Sequence, residues 1–304
     1  MSADQITEAL IRKQAVYYYL VLIMWPVYLF FLPAVLAYGG WWVLLYIIFP
    51  GLYLFTWLGY LMHESWHKFI PTVNNRFFYN AFAFMILSDP QLYYMIHSSH
   101  HGQVHTYQDM EFHPLGEIRS RGFRLIYNWL EVIIGIAFLV MVVSITVRKD
   151  ERFAKKYRTW KLLTSIGVWI VFLGGLGYLS HLVFGVTLKQ VILAFGLTYW
   201  LGSFFLHQSQ LVEHGNLFIE GTFRQRNLKT RNLKPDGIFE SVFLFMTHND
   251  SREHVLHHIM TVIHSRPFPG VVPLPENSVM ISLKDYFRIL GRMLKGQEDH
   301  EIAS

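Results

Sequence analysis

Nine histidines in four places carry the chemistry that this sequence could perform. His63-Glu-Ser-Trp-His67 spaces two imidazoles four residues apart, which puts both on one face of a helix. His97-Ser-Ser-His100-His101 places three imidazoles on one helical face by the same rule, and His254-Val-Leu-His257-His258 repeats the spacing. His214 stands alone in Gln210-Leu-Val-Glu213-His214-Gly-Asn216. Imidazoles bind metals and move protons. One ion rarely takes more than about six ligands, so nine histidines suit two metals of four or five ligands each, with positions open for oxygen or a substrate. Iron suits imidazole-rich sites of this kind, although zinc, copper and nickel also accept imidazole. A metal-bound imidazole donates its second N–H to a carboxylate or carbonyl. Glu64, Asp109, Glu111, Glu213, Asp250 and Glu253 lie in or beside the clusters and are the candidates for that supporting role.

The remaining histidines read differently. His105, His113, His207, His248 and His264 are expected to be structural or to support the ligands from outside. His181 is expected to be structural, and His300, in a charged tail, to be solvated. The chain has no cysteine. Disulfides, thiolate-bound zinc, iron–sulfur clusters and a fused rubredoxin are therefore excluded within it.

The elements that must position these histidines are membrane helices. Charged residues make up 15% of the 304 residues and hydrophobic ones 53%, against roughly 25% charged in an average soluble domain. That composition excludes disorder and polar nucleic-acid-binding tails. Four runs free of Asp, Glu, Lys and Arg, over 17–38, 41–62, 162–184 and 190–212, are long enough to cross a bilayer. Tyr17, Tyr18, Tyr19, Trp41, Trp42 and Tyr60 crowd their ends as an interfacial belt. The runs form two tight hairpins.

A fifth apolar stretch, 125–147, contains Glu131 and is flanked by basic residues on both sides: Arg119, Arg121 and Arg124 before it, and Arg148, Lys149, Arg152, Lys155, Lys156, Arg158 and Lys161 after it. Basic loops stay cytoplasmic, so both ends belong on one side and the stretch is interfacial, not spanning. This arrangement puts 25 of the 26 Lys and Arg residues on one face, Lys189 excepted, and accounts for the net charge of +5. All nine clustered histidines fall on that same face. The expected architecture is an all-α integral membrane protein in one domain over 1–304. Four spans carry a histidine-rich cytoplasmic cap made of 63–124 and 213–304, with both termini cytoplasmic. Pro71, Pro90, Pro114, Pro235 and Pro267 to Pro275 mark loops in the cap. The first apolar run is too long for a cleaved signal segment.

Taken together, HxxxH (His63, His67), HxxHH (His97, His100, His101), the lone His214 after the last span, and HxxHH (His254, His257, His258) resemble the membrane-bound fatty-acid desaturase and hydroxylase superfamily. The resemblance covers about 17–265. It implies a mushroom of four core helices under a cytoplasmic cap, a diiron site held by those nine histidines, and a substrate tunnel running towards the membrane. It also implies O2-dependent attack on the alkyl chain of a fatty acid or lipid. Desaturation is the leading outcome; hydroxylation of an alkyl chain or alkane, and oxidative decarboxylation to a 1-alkene, are the alternatives. Electrons would come from an external ferredoxin, rubredoxin or cytochrome b5-type carrier. Where acyl-CoA desaturases have an Asn acting through water, this chain has Gln210. The HxxxH spacing is shared with acyl-lipid desaturases, alkane hydroxylases and carotenoid oxygenases. His63-Glu64, His67-Lys68 and Glu213-His214 are similar to the alkane hydroxylases in particular. The unfused form points to a bacterial inner membrane.

A rival from another class is a membrane zinc protease, in which Glu64 of His63-Glu64-Ser-Trp-His67 would be the general base. That reading leaves seven clustered histidines unused. Trp66, Tyr93, Tyr94, Trp200 and Phe204 are expected to pack the core and could line a tunnel; Arg252 and Arg266 could hold an acidic head group or pair with neighbouring acids.

Overall fold

A computed structural model of the chain describes residues 3–68, 73–259 and 273–302. Pro71, His264, Arg266 and Pro267 lie outside the described residues. In chain order the elements are α1 (Ala3–Tyr38), α2 (Trp42–Tyr46), α3 (Tyr53–His67), α4 (Asn75–Met85), α5 (Pro90–Gln103), α6 (Arg121–Ile134), α7 (Ile136–Thr146), α8 (Glu151–Ala154), α9 (Thr159–Phe184), α10 (Leu188–His214), β1 (Leu217–Glu220), α11 (Phe223–Leu228), β2 (Arg231–Leu233), α12 (Ile238–Met246), α13 (His254–Ile259), β3 (Val279–Ile281), α14 (Leu283–Met293) and β4 (Asp299–Ile302). The chain divides into two compact units, Met1–Gln91 with Arg158–Gly202, and Leu92–Tyr157 with Ser203–Ser304.

Among the described residues four helices are long and apolar enough to cross a membrane: Ala15–Tyr38, Trp42–His67, Thr159–Phe184 and Leu188–His214. They match the four charge-free runs but extend past them, because a helix continues until its backbone is capped and not until its apolar run stops. The second reaches His67, so the HxxxH pair rides on its last turns. Lys68 ends it in the left-handed conformation (φ 59°). A wide turn over Ile47–Leu52 joins α2 to α3 around Pro50, whose missing N–H and ring break the regular ladder.

In the first unit the helices are locked by aromatic packing and a few buried hydrogen bonds. Trp25 and Tyr199 both donate to the Met85 carbonyl, at 3.2 and 2.6 Å. Tyr28 and Thr198 share a hydroxyl hydrogen bond of 3.1 Å. Gly202 lets Phe55 approach: a Cβ there would sit 2.4 Å from the ring.

The second unit is built from shorter pieces. Two small parallel strand pairs tie distant segments together, β1 with β4 (Leu217 opposite Asp299) and β2 with β3 (Arg231 opposite Val279). Leu211, Val212, Leu233, Leu244, Tyr286 and Ile289 form the centre of its apolar core.

The stretch expected to be interfacial is two helices, α6 and α7, broken at Gly135. Neither reaches the roughly 20 residues a spanning helix needs. Gly135 has φ 73° and ψ −145°, a conformation open in practice only to glycine. Ser203 of α10 fills the break, its hydroxyl accepting from Ala137 N at 2.8 Å and donating to the Ile134 carbonyl at 2.9 Å. A Cβ on Gly135 would meet the Ser203 carbonyl oxygen at 2.4 Å. Gly135→Ala is therefore expected to destabilise the protein by about 1–3 kcal/mol, read as a lower thermal midpoint in detergent. Gly122→Ala on α6, where a Cβ meets nothing within 4 Å, is expected to leave the midpoint unchanged or raise it.

Candidate metal centre

The candidate ligands sit on helices, where residues three and four apart share one face. In the second unit α5 carries His97, His100 and His101, the last residue of α10 is His214, and α13 carries His254, His257 and His258. In the first unit the end of α3 carries His63 and His67.

Ligand atoms of His100, His214 and His258 all lie within 4.8 Å of one another, and so do those of Glu213, His214 and His254. A further set of three in the same unit, His97, His101 and His257, meets the same limit; within the first unit His63 and His67 do so as a pair. The Nε2 atoms converge: His97 to His101 at 3.1 Å, His101 to His257 at 3.1 Å, His214 to His254 at 3.0 Å and His214 to His258 at 3.3 Å.

On the outer side of three of the rings, those of His97, His100 and His258, Nδ1 is anchored. His97 Nδ1 lies 2.8 Å from Glu111 Oε2, and His100 Nδ1 lies 2.8 Å from Asp109 Oδ2. His258 Nδ1 lies 2.9 Å from Asn227 Oδ1. An ionised carboxylate or an amide oxygen can only accept, so each of these Nδ1 atoms is the donor and each Nε2 presents a lone pair. The lone pairs of His97 and His258 face the Nε2 atoms of His101 and His214, close enough for a hydrogen bond from the second ring or for a cation held by both. Two imidazoles bound at right angles to one ion at about 2.1 Å would have their nitrogens about 3 Å apart, which is the separation seen. The donor set fits a metal, and its nitrogen-rich character fits iron.

The pKa directions follow from the same contacts. Burial opposes the charge on His100, but the Asp109 carboxylate outweighs it and lifts the imidazole above its ordinary value. Burial would raise Glu111, yet the His97 ring beside it holds the carboxyl below the usual range. Burial and the neighbouring His254 and His100 push His258 well below an ordinary histidine, which keeps it neutral and able to donate its lone pair.

The outer residues have separate supports. Asp109 Oδ1 accepts from Glu111 N at 3.0 Å, so one turn of the loop after α5 orients both anchoring carboxylates. Ser251 donates to Glu213 Oε1 at 2.8 Å, while Glu213 Oε2 is 3.3 Å from His254 Nε2. Asp250 Oδ2 is 3.7 Å from His254 Nδ1, and Glu253 lies 3.9 Å from Arg252. Glu64, the base a protease would need, is buried and accepts from the Tyr18 hydroxyl at 3.2 Å. Gln210 Oε1 lies 3.2 Å from His207 Nδ1.

The other histidines have other surroundings. His105 contacts Thr230 at 3.3 Å, and burial, then Arg231, hold it well below an ordinary histidine. His181 Nδ1 reaches the Val186 carbonyl at 2.8 Å and closes the end of α9. His300 is exposed and stacks on Phe218. His207 Nε2 lies 3.2 Å from Glu131 Oε1, deep between α6 and α10.

Two positioning residues escaped the sequence reading. Asn227 lies on α11, whose start is closed by a Thr222/Gln225 capping box. Asn232 on β2 accepts from Val255 N at 3.0 Å and donates to the Val279 carbonyl at 3.2 Å, which fixes the start of α13. Neither stands near a histidine in sequence, so no local signal marks them. If the site is loaded with a metal, Asn227→Leu and Glu111→Gln are each expected to weaken its binding by roughly 10–100-fold, measured by competition with a chelator.

A family model described as fatty acid desaturase matches residues 39–269, more than half of the chain. No curated protein and no solved structure matches it. With four helices able to span a membrane and histidine clusters suited to a metal, the chain belongs to the fatty acid desaturase family, within the membrane desaturase and hydroxylase superfamily.

Proposed function

We propose that the protein is a membrane-bound diiron fatty-acid desaturase that uses O2 to introduce a double bond into the alkyl chain of a fatty acid or lipid. The observation that carries this reading is the set of convergent Nε2 atoms, with carboxylates on Nδ1 of His97 and His100. His63, His67, His97, His100, His101, His214, His254, His257 and His258 hold two iron ions. When bound, iron supplies the redox chemistry that lets O2 abstract hydrogen from an unactivated C–H bond. The protein's own contribution is to orient the imidazoles through Glu111, Asp109 and Asn227, and to bury them away from bulk water.

The reading extends to placement. The spans form two hairpins, and the histidine-bearing segments lie on the cytoplasmic side of a bacterial inner membrane as one functional domain. The outward face of α6 supports an interfacial position: Phe123, Ile126, Trp129, Leu130 and Ile133 are exposed, whereas Tyr127, Asn128 and Glu131 are buried. An apolar outside and polar inside suit a helix lying in lipid. Electrons arrive one at a time from an external ferredoxin, rubredoxin or cytochrome b5-type carrier.

The test is iron analysis of the detergent-purified protein, followed by product analysis of lipids incubated with O2 and a reductant. About two irons per chain and an O2-dependent unsaturated product are expected, both lost in His100→Ala/His257→Ala. An alcohol or 1-alkene in place of the alkene would move the reading to hydroxylation or decarboxylation. A single zinc with no oxidised lipid would overturn it.

A further inference from the structure

We propose that Glu131 and His207 form a buried proton station, reached through a small cavity of mixed polar and apolar lining in the second unit, that supplies the protons O2 reduction consumes. The proposal rests on the O2-dependent function above. Desaturation removes two hydrogen atoms from the chain. O2 takes these, two electrons from the external carrier and two protons from water, and leaves as two water molecules. Hydroxylation inserts one oxygen atom into a C–H bond, and the same two electrons and two protons turn the other into water. Either outcome needs protons delivered to a buried centre.

The cavity has a volume of about 40 Å³ and touches Glu131, His113, Tyr127, Asn216, Glu298 and the candidate ligand His214. That is room for a water molecule, whose share of liquid volume is about 30 Å³. The Tyr127 hydroxyl and Asn216 Nδ2 are buried and have no hydrogen-bond partner, although both residues line this space. A buried water with two to four polar partners satisfies such groups.

At the outer end, Tyr107 donates to Glu298 Oε2 at 3.0 Å, Arg124 pairs with the same oxygen at 3.1 Å, and the exposed His300 lies 3.4 Å from it. Burial, then the bond to Glu298, pushes the Tyr107 hydroxyl up to about 12, so it stays a neutral donor. At the inner end, Glu131 pairs with His207 at 3.2 Å, both almost fully buried. His207 in turn contacts Gln210, one turn before His214 on α10. The groups facing the pair are Tyr127 on α6 and His113 in the loop after α5. A proton enters at Glu298, crosses the cavity water to the Glu131–His207 pair, and returns through the same water to the His214 side of the centre.

The test uses the full chain in lipid nanodiscs as wild type, Glu131→Gln, Glu131→Asp and His207→Gln. The first readout needs no turnover. In iron-free protein labelled with 15N-histidine and moved into D2O, the ring N–H of His207, identified by its loss in His207→Gln, is expected to exchange within minutes. Protection for hours would mean a dry pocket and would overturn the proposal.

In iron-loaded protein Glu131→Gln is expected to keep its iron and KM, lose roughly ten- to a hundredfold in kcat, and show a larger solvent deuterium isotope effect. Glu131→Asp is expected to recover most of the rate. Unchanged kcat would overturn the proposal. Loss of iron together with turnover, without rescue by Asp, would do the same, because the pair would then be a structural link between α6 and α10. A wild type that oxidises no lipid removes the proposed function and the proton role with it. Slow exchange in an active wild type removes the proton station alone.

Discussion

Everything at the centre depends on hydrogen bonds from buried Nδ1–H groups to buried oxygen acceptors. His97 to Glu111 and His100 to Asp109, each 2.8 Å, fix which nitrogen carries the proton and which carries the lone pair. The acceptors are almost fully buried, and an isolated buried carboxylate costs several kcal/mol. Hydrogen bonds from the histidine rings and from Glu111 N, together with positive charge nearby, offset that cost. Clustered imidazoles backed by two such carboxylates thus form a site compatible with a metal cation.

The supports around this centre are short, and the fold compensates by tying distant segments together. α13 is six residues long and has little stability of its own. It is held by Asn232 at its start and by Asn227 against His258. The first of these depends on β2 lying beside β3, with about 45 residues of chain between them. A two-stranded pair is marginal by itself, and it persists here because Leu233 and Ile281 are packed in the apolar core with Tyr286 and Ile289. The histidine helix is therefore as rigid as that core.

A second theme is polarity turned inward. On α6 the buried residues are Tyr127, Asn128, Glu131 and Val132 while large apolar side chains face out. A helix in a water-soluble domain shows the reverse. The inward polar groups are used: Asn128 donates to the Met293 carbonyl at 2.7 Å, and Glu131 meets His207. The four helices long and apolar enough to cross a membrane likewise expose Ile, Leu, Val and Trp side chains, which suit lipid better than water.

The histidine motifs, the four spans and the family were legible in the sequence because each depends on local periodicity. Helical spacing puts His254, His257 and His258 on one short helix, and an uncharged run of some twenty residues has few alternatives to a membrane helix. Asp109 and Glu111 were legible as neighbours of a histidine cluster. Which oxygen anchors which ring was not. Asn227 reaches His258 across 31 residues, Ser251 reaches Glu213 across 38, and Glu131 reaches His207 across 76. The break at Gly135 likewise depends on Ser203, far along the chain. Such contacts leave no period in the sequence. They are decided by tertiary packing, because a buried polar group must find a partner wherever the folded chain brings one within hydrogen-bond reach.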